Sequence, residues 1–258
     1  MTTTLLQQYL KLPKNCWVNQ KLPKTFFKRN FELTLSERKL LDDFSIIQQM
    51  EVLALVNTET ANIPAYNDSF MSYEEIIILS AETTYEQFER QKNKIVELLQ
   101  KYFPNPVLLL LHDSKQFLLS VAEKRINQND PKKRVTEKIY TSQNLSWPLI
   151  QKSDQEFMQA LGFDQANKLN LQAYYQHLIG CIIGLQAAQI SGKFATRPYK
   201  RSLQDTLVLE AIQTLQETIF TLETRAKKET QMAELVKLNT EIQENKRQIQ
   251  KLTLKLSN

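Results

Sequence analysis

Two short patterns in this 258-residue chain have the composition of a metal-dependent nuclease: Asp113-Ser114-Lys115 and Asp130-Pro131-Lys132. In an acidic-x-Lys tripeptide the carboxylate helps hold a divalent cation and the lysine assists the attacking water, with Glu75, Glu82 or Glu123 as further carboxylates. Both tripeptides fall in expected turns instead of on a central strand that would aim the ligands. Cys181 and His177 stand four residues apart on one expected helix, the spacing at which a histidine can activate a thiol. The Ile-Gly-Cys-Ile-Ile setting favours packing. With only two cysteines and two histidines at no zinc-ligand spacing, a structural metal is not expected. No GxSxG serine setting, GxxxxGK[ST] loop or GxGxxG loop is present, and the four glycines (Gly162, Gly180, Gly184, Gly192) all lie in one short stretch. P-loop NTPases, Rossmann oxidoreductases and kinases are set aside, no catalytic residue is assigned and no cofactor is expected.

Basic residues form the clearest binding candidates. Residues 1–31 carry Lys11, Lys14, Lys21, Lys24, Lys28 and Arg29 with no acidic side chain, whereas the whole chain has 33 basic and 28 acidic residues. The remainder is therefore close to neutral. Further clusters comprise Lys124, Arg125, Lys132, Lys133, Arg134 and Lys138 around an expected hairpin, and Lys193, Arg197, Lys200 and Arg201 in a loop. From these, Lys14, Lys21, Lys24, Lys28, Arg29, Lys132, Lys133, Arg134, Lys200 and Arg201 are the candidate contacts to nucleic acid or an acidic partner. Interleaved Trp17, Phe26, Phe27 and Tyr199 could stack on bases. Pro13 and Pro23, each inside Leu-Pro-Lys, are expected to keep residues 1–31 as an extended arm.

The elements that must position these groups follow from periodicity. Thr34-Leu35-Ser36-Glu37 is a capping box, predicting a helix to about Gln49 with Leu35, Leu40, Leu41, Phe44 and Ile47 on one face. Strands are expected at Val52–Val56, Glu75–Ala81, Val107–Leu111, Phe117–Val121 and Arg134–Thr141, with a helix opened by Thr84-Tyr85-Glu86-Gln87 before Pro104. This order predicts an α+β domain over 32–150 with a mixed or antiparallel sheet of about five strands and flanking helices. A helical region is expected over 151–202, with a capping box at Ser153-Asp154-Gln155-Glu156 and Gly162 as a left-handed helix stop. Gly180 and Gly184, one turn apart, predict close helix packing; Gln172, His177, Gln186 and Gln189 argue against a membrane reading.

Over 203–258 a coiled coil is expected. Leu235, Leu238, Ile242, Asn245, Ile249, Leu252 and Leu256 form an a/d frame, with polar Asn245 setting register. An earlier frame, Val208, Ile212, Leu215, Ile219, Leu222 and Ala226, is out of phase, so the helix should bend or break near 225–229. The partner of the seam is a second copy, another protein, or this chain folding back. No signal segment and no apolar run of about 20 residues is seen, so a cytoplasmic address without membrane contact is expected.

Leu12-Pro13-Lys14, Val18-Asn19, Lys21-Leu22-Pro23-Lys24 and Phe26-Phe27 resemble the N-terminal signature of the bacterial domain-of-unknown-function 4391 family. Lys228-Glu229-Thr230-Gln231 with Val236, Leu238 and Asn239 is similar to its C-terminal pattern, and the middle agrees in element order. The resemblance implies an accessory protein of restriction-like antiviral loci, partnered with a helicase or DNA methyltransferase. It implies no catalytic residue. The expected function is thus a non-catalytic assembly subunit of a DNA-targeting defence complex; a metal-dependent nuclease subunit and a structural coiled-coil oligomer are the alternatives.

Overall fold

The computed structural model describes residues 2–131 and 133–257. A first helix α1 (Thr2–Leu10) leads through a 3-10 turn (Lys14–Cys16) to β1 (Trp17–Lys21), α2 (Thr25–Asn30), α3 (Leu35–Asp42) and β2 (Gln49–Asn57). A single-turn helix α4 (Thr58–Ala61) and a small ribbon of β3 (Tyr66–Asn67) and β4 (Ser72–Tyr73) precede β5 (Glu75–Glu82). Helix α5 (Tyr85–Tyr102) crosses to β6 (Val107–His112), followed by β7 (Gln116–Ile126), β8 (Arg134–Thr141) and β9 (Leu145–Ser146). The chain ends in α6 (Lys152–Ala160), α7 (Leu171–Ser191), α8 (Tyr199–Ala226) and α9 (Met232–Ser257).

The principal sheet is mixed and has seven strands in the order β1-β2-β5-β6-β7-β8, with β9 also paired to β7. Only β5 and β6 are parallel, joined by the crossover helix α5; β6–β7 and β7–β8 are joined by short connections and pair antiparallel, as do β1–β2, β2–β5 and β7–β9. The unbroken apolar runs of β5 and β6 signal burial on both faces. Ile76, Ile78, Leu108 and Leu110 enter the core beneath α1, α6 and α7, whereas Ile77, Leu79, Leu109 and Leu111 enter the core beneath α2, α3 and α5. Each such side chain, taken fully out of water, contributes roughly 1.5–3 kcal/mol.

The N-terminal segment does not remain an extended arm. Leu6, Leu10, Leu12 and Cys16 are buried in one core, Phe27 in the other, and Trp17–Lys21 adds an edge strand beside β2. Apolar residues spaced between the lysines carry the segment into the fold, outweighing the stiffness of Pro13 and Pro23. The predicted helix from Thr34 has its capping box but stops at Asp42, where the Asp43 carboxylate accepts from the Ser45 amide at 2.7 Å and turns the chain into β2. Helix α6 starts one residue ahead of Ser153, with Gln151 at its N-cap and no side-chain cap. The left-handed helix stop is Gly192, at φ 76°, and not Gly162.

Strands β6 and β7 separate at one end, and three polar side chains fill the opening. The Tyr175 hydroxyl donates to the Val107 carbonyl at 2.9 Å and accepts from the Ala122 amide at 2.9 Å. From the opposite face the Gln100 amide donates to the Ser120 carbonyl at 3.0 Å. Lys124 donates to the carbonyls of Phe103 and Asn105, just past the end of α5. Backbone groups left unpaired by the sheet are thereby satisfied without water. Lys124 accordingly points inward, and does not belong to the exposed basic cluster.

Candidate partner and nucleic-acid interfaces

The candidate basic residues occupy three separate places. Lys14, Lys21, Lys24, Lys28 and Arg29 follow the β1 edge and α2; Lys133 and Arg134 lie at the β7–β8 turn, on the opposite side of the sheet; Lys200 and Arg201 begin α8. Lys132 lies outside the described residues. Lys14, Lys21, Arg29 and Lys200 are exposed and have no ion-pair partner among the described residues. Lys24 approaches the Asp43 carbonyl at 3.4 Å and the Phe44 ring at 4.1 Å, and burial draws its pKa down against the pull of Asp43 and Asp42. Lys28 pairs with Asp42, Lys133 with Asp130 at 3.5 Å, and Arg134 donates to the Pro131 carbonyl at 2.9 Å.

Arg201 is engaged within the fold. Asp205 is buried and receives Arg197 at 3.4 Å and Arg201 at 3.2 Å, while the same two arginines donate to the carbonyls of Leu256 and Lys255. Two cations thus sit on the C-terminal carbonyls of α9, where the helix dipole favours them, and one buried carboxylate holds both. From the sequence, Arg197 and Arg201 stand out only as charges of a basic loop, and Asp205 is not singled out. The residues they join are more than 50 positions apart.

This clamp closes an antiparallel helical hairpin. The α9 seam faces α8: Leu238, Ile242 and Leu256 are buried, and Leu235, Asn245, Ile249 and Leu252 are partly buried. Ile219 and Leu222 meet Leu238 and Ile242, and nearer the sheet Ile212 meets Leu256 and Ala187 of α7. Beyond Ile212 the apolar contacts run between α8 and α9 alone. The remaining 14 residues of α8 extend about 20 Å at the helical rise. Near that distal end Phe220 is 73% exposed, Met232 76% and Val236 60%.

The candidate catalytic groups are held in structural roles. Asp113 turns the chain between β6 and β7, its Oδ1 accepting from the Lys115 and Gln116 amides, while Lys115 reaches over the Tyr85 ring. Glu75 accepts from Asn57 and Asn105 at the far end of β5, whereas Glu123 accepts from Tyr140 and Tyr199. The Tyr199 phenol is held protonated by burial and by that carboxylate. Among the described residues no three His, Cys, Asp or Glu side chains converge to hold a metal.

Ser80 and His112 form a pair that sequence reading did not find. They lie near the carboxyl ends of the parallel strands, Oγ to Nε2 3.0 Å, and both are buried. Burial lowers the His112 pKa, so the ring is neutral near pH 7. The parallel register of β5 and β6 brings these two residues near one another, and no motif marks it. Cys181 and His177 do approach, at 3.5 Å, but His177 Nε2 also lies 2.8 Å from the Ala160 carbonyl and burial pushes the Cys181 thiol up to about 12. A thiol so held is not a nucleophile at neutral pH. No helix among the described residues is long and apolar enough to cross a membrane.

A family model described as Domain of unknown function (DUF4391) matches residues 10–249. Comparison with curated proteins and with solved structures finds no match.

Proposed function

The chain belongs to the DUF4391 family, and from that membership we propose that it is a non-catalytic accessory and assembly subunit of a bacterial DNA-targeting antiviral defence complex. The partner in this reading is a helicase or DNA methyltransferase of the same locus, met in the cytoplasm. The observation that carries it is the α8–α9 hairpin, which leaves the sheet body and bears Phe220, Met232 and Val236 exposed near its free end. The seven-position heptad seam on α9 supports describing this hairpin as an antiparallel coiled coil. Exposed apolar residues on a projecting element are open to a partner and so support this reading.

The test uses exposed residues, because Leu238→Asp would break the seam itself. Phe220→Asp with Val236→Asp should leave the thermal transition within a few degrees of wild type, yet abolish capture of the helicase or methyltransferase from the native host, measured by pull-down and mass determination. Undiminished capture would refute the hairpin role. Magnesium- or manganese-dependent DNA cleavage that Asp113→Ala removes would replace this reading with a nuclease.

DNA contact is a second reading, supported by the exposed cations Lys14, Lys21 and Arg29 near the β1 edge, which have no ion-pair partner among the described residues. Replacing all three with Ala should weaken duplex binding and reduce its log–log salt slope by about 2.7, at about 0.9 per phosphate contact. An unchanged slope removes that role.

A further inference from the structure

Gly180 and Gly184 face the segment that follows α7, and Gly180 also meets the Ser202 hydroxyl in the first turn of α8. A Cβ on Gly184 would stand 2.5 Å from the Ala195 carbonyl oxygen, and one on Gly180 3.2 Å from that of Arg197. The two glycines admit the segment 193–197, which runs over α7 between Gly192 and Pro198. Two carbonyls, two residues apart, turn onto the helix, the alternation of an extended backbone. Across a trans peptide the carbonyl and the following amide point in opposite directions. With the Ala195 carbonyl directed at α7, the Thr196 N–H is directed away from it, and it has no hydrogen-bond partner among the described residues.

Thr196 lines a cleft of about 860 Å³ between this segment and one side of α6. Lys11, Lys152 and Lys193 stand around it against one lining carboxylate, Glu156. Lys152 is 3.5 Å from Glu156 and Lys11 3.3 Å from Asp164, but Lys193 has no ion-pair partner among the described residues. The cleft therefore offers an outward main-chain donor beside an extended strap, within a rim of excess positive charge.

We propose that this cleft binds an extended acidic segment of a partner protein, whose backbone accepts from Thr196 N–H and whose carboxylates meet Lys11, Lys152 and Lys193. Such a mode draws affinity from a main-chain hydrogen bond and specificity from flanking charge. The proposal rests on the reading of the chain as an accessory subunit and names the chemistry of a second contact, away from the hairpin tip.

The test is fluorescence polarisation of the full chain with a fluorescein-labelled peptide of alternating aspartate and valine; the counterpart with lysine for aspartate is the control. The acidic peptide should bind and the lysine peptide should not. Lys152→Glu with Lys193→Glu should weaken binding about ten-fold or more, the scale of two exposed charge pairs reversed. Both lysines are exposed, so the variant keeps the wild-type circular dichroism and melting transition. Gly184→Ala, which displaces the strap without changing charge, should also weaken binding. Equal binding of the two peptides, indifference to the charge reversal, or competition by single-stranded DNA more effective than by unlabelled peptide would overturn the proposal. Peptide binding that persists in Phe220→Asp/Val236→Asp, whatever that variant captures from the host, separates the fate of this site from that of the hairpin.

Discussion

Replacing Gly184 with Ala forces a conflict between helix propensity and packing. Alanine is favoured over glycine in a helix interior by about 1 kcal/mol. Against this, the new Cβ would lie 2.5 Å from the Ala195 carbonyl oxygen, whereas ordinary contact begins near 3.4 Å. The strap must therefore move by roughly 0.5–1 Å. It is backbone, held at one end by the Gly192 amide donating to Ala188 at 2.7 Å and at the other by the Arg197–Asp205 pair, so it cannot swing aside as a side chain would. Overpacking costs about 1–3 kcal/mol, and a 2.5 Å approach to backbone belongs in the upper part of that range, about 2–3 kcal/mol, leaving a net loss of about 1–2 kcal/mol. Gly180→Ala meets its neighbours at 3.2 Å, one of them the Ser202 hydroxyl, and the gain in helix propensity should nearly cancel the crowding. Gly192→Ala has open space but keeps φ near 76°, for a loss of about 1 kcal/mol. Urea denaturation of the three variants, at unchanged m-value, measures the series. A Gly184→Ala protein at least as stable as wild type, or a Gly180→Ala protein less stable than Gly184→Ala, would refute the account of α7.

Lys124 is buried with only carbonyl partners, and burial draws its pKa down to about 7. Between pH 7 and the unfolded-state value near 10.5 the unfolded chain holds the extra proton, so stability rises with pH across that window. Relative to Lys124→Met, wild type should gain on the order of 2–3 kcal/mol between pH 6.5 and 9.5 in urea titrations, and parallel curves would show that the ammonium is not buried. Asp205→Ala leaves Arg197, whose side chain is 15% exposed, and Arg201 without their shared carboxylate. A loss of about 3–5 kcal/mol is expected, with faster amide exchange in the last turns of α9; unaltered exchange there would show that the clamp does not hold the hairpin.

Element identity was largely legible because it follows from local periodicity. The five apolar strands, the Thr34 and Thr84 caps, and the break near 225–229 all rest on residues within a few positions of one another. Strand β1 was not legible: Trp17–Lys21 carries polar side chains on an exposed edge, and only its hydrogen bonds to β2 make it a strand. Strand β9 is two residues long and has no period to read. Gly180 and Gly184 were legible as a close approach, but at Gly184 the approaching element is an extended strap, and at Gly180 it is that strap together with Ser202 of α8, since a helix surface does not record what crosses it. The candidate cations were legible as residue types; that Lys28 is already paired was not, because Asp42 reaches it from the next helix, and neither was the Lys255 carbonyl that Arg201 meets.

By itself the sequence determined the α+β class, the alternation that sends Ile76 and Ile77 to opposite cores, and the inward seam of α9, since each depends on a repeat of two or of 3.5 residues. Tertiary structure alone decided that the seam closes on α8 of the same chain. It also decided that Lys124 and Arg201 turn inward, and that Ser80 meets His112. Those outcomes depend on which distant backbone carbonyl or carboxylate arrives opposite a side chain, a relation set by strand order and helix crossing and by no local spacing.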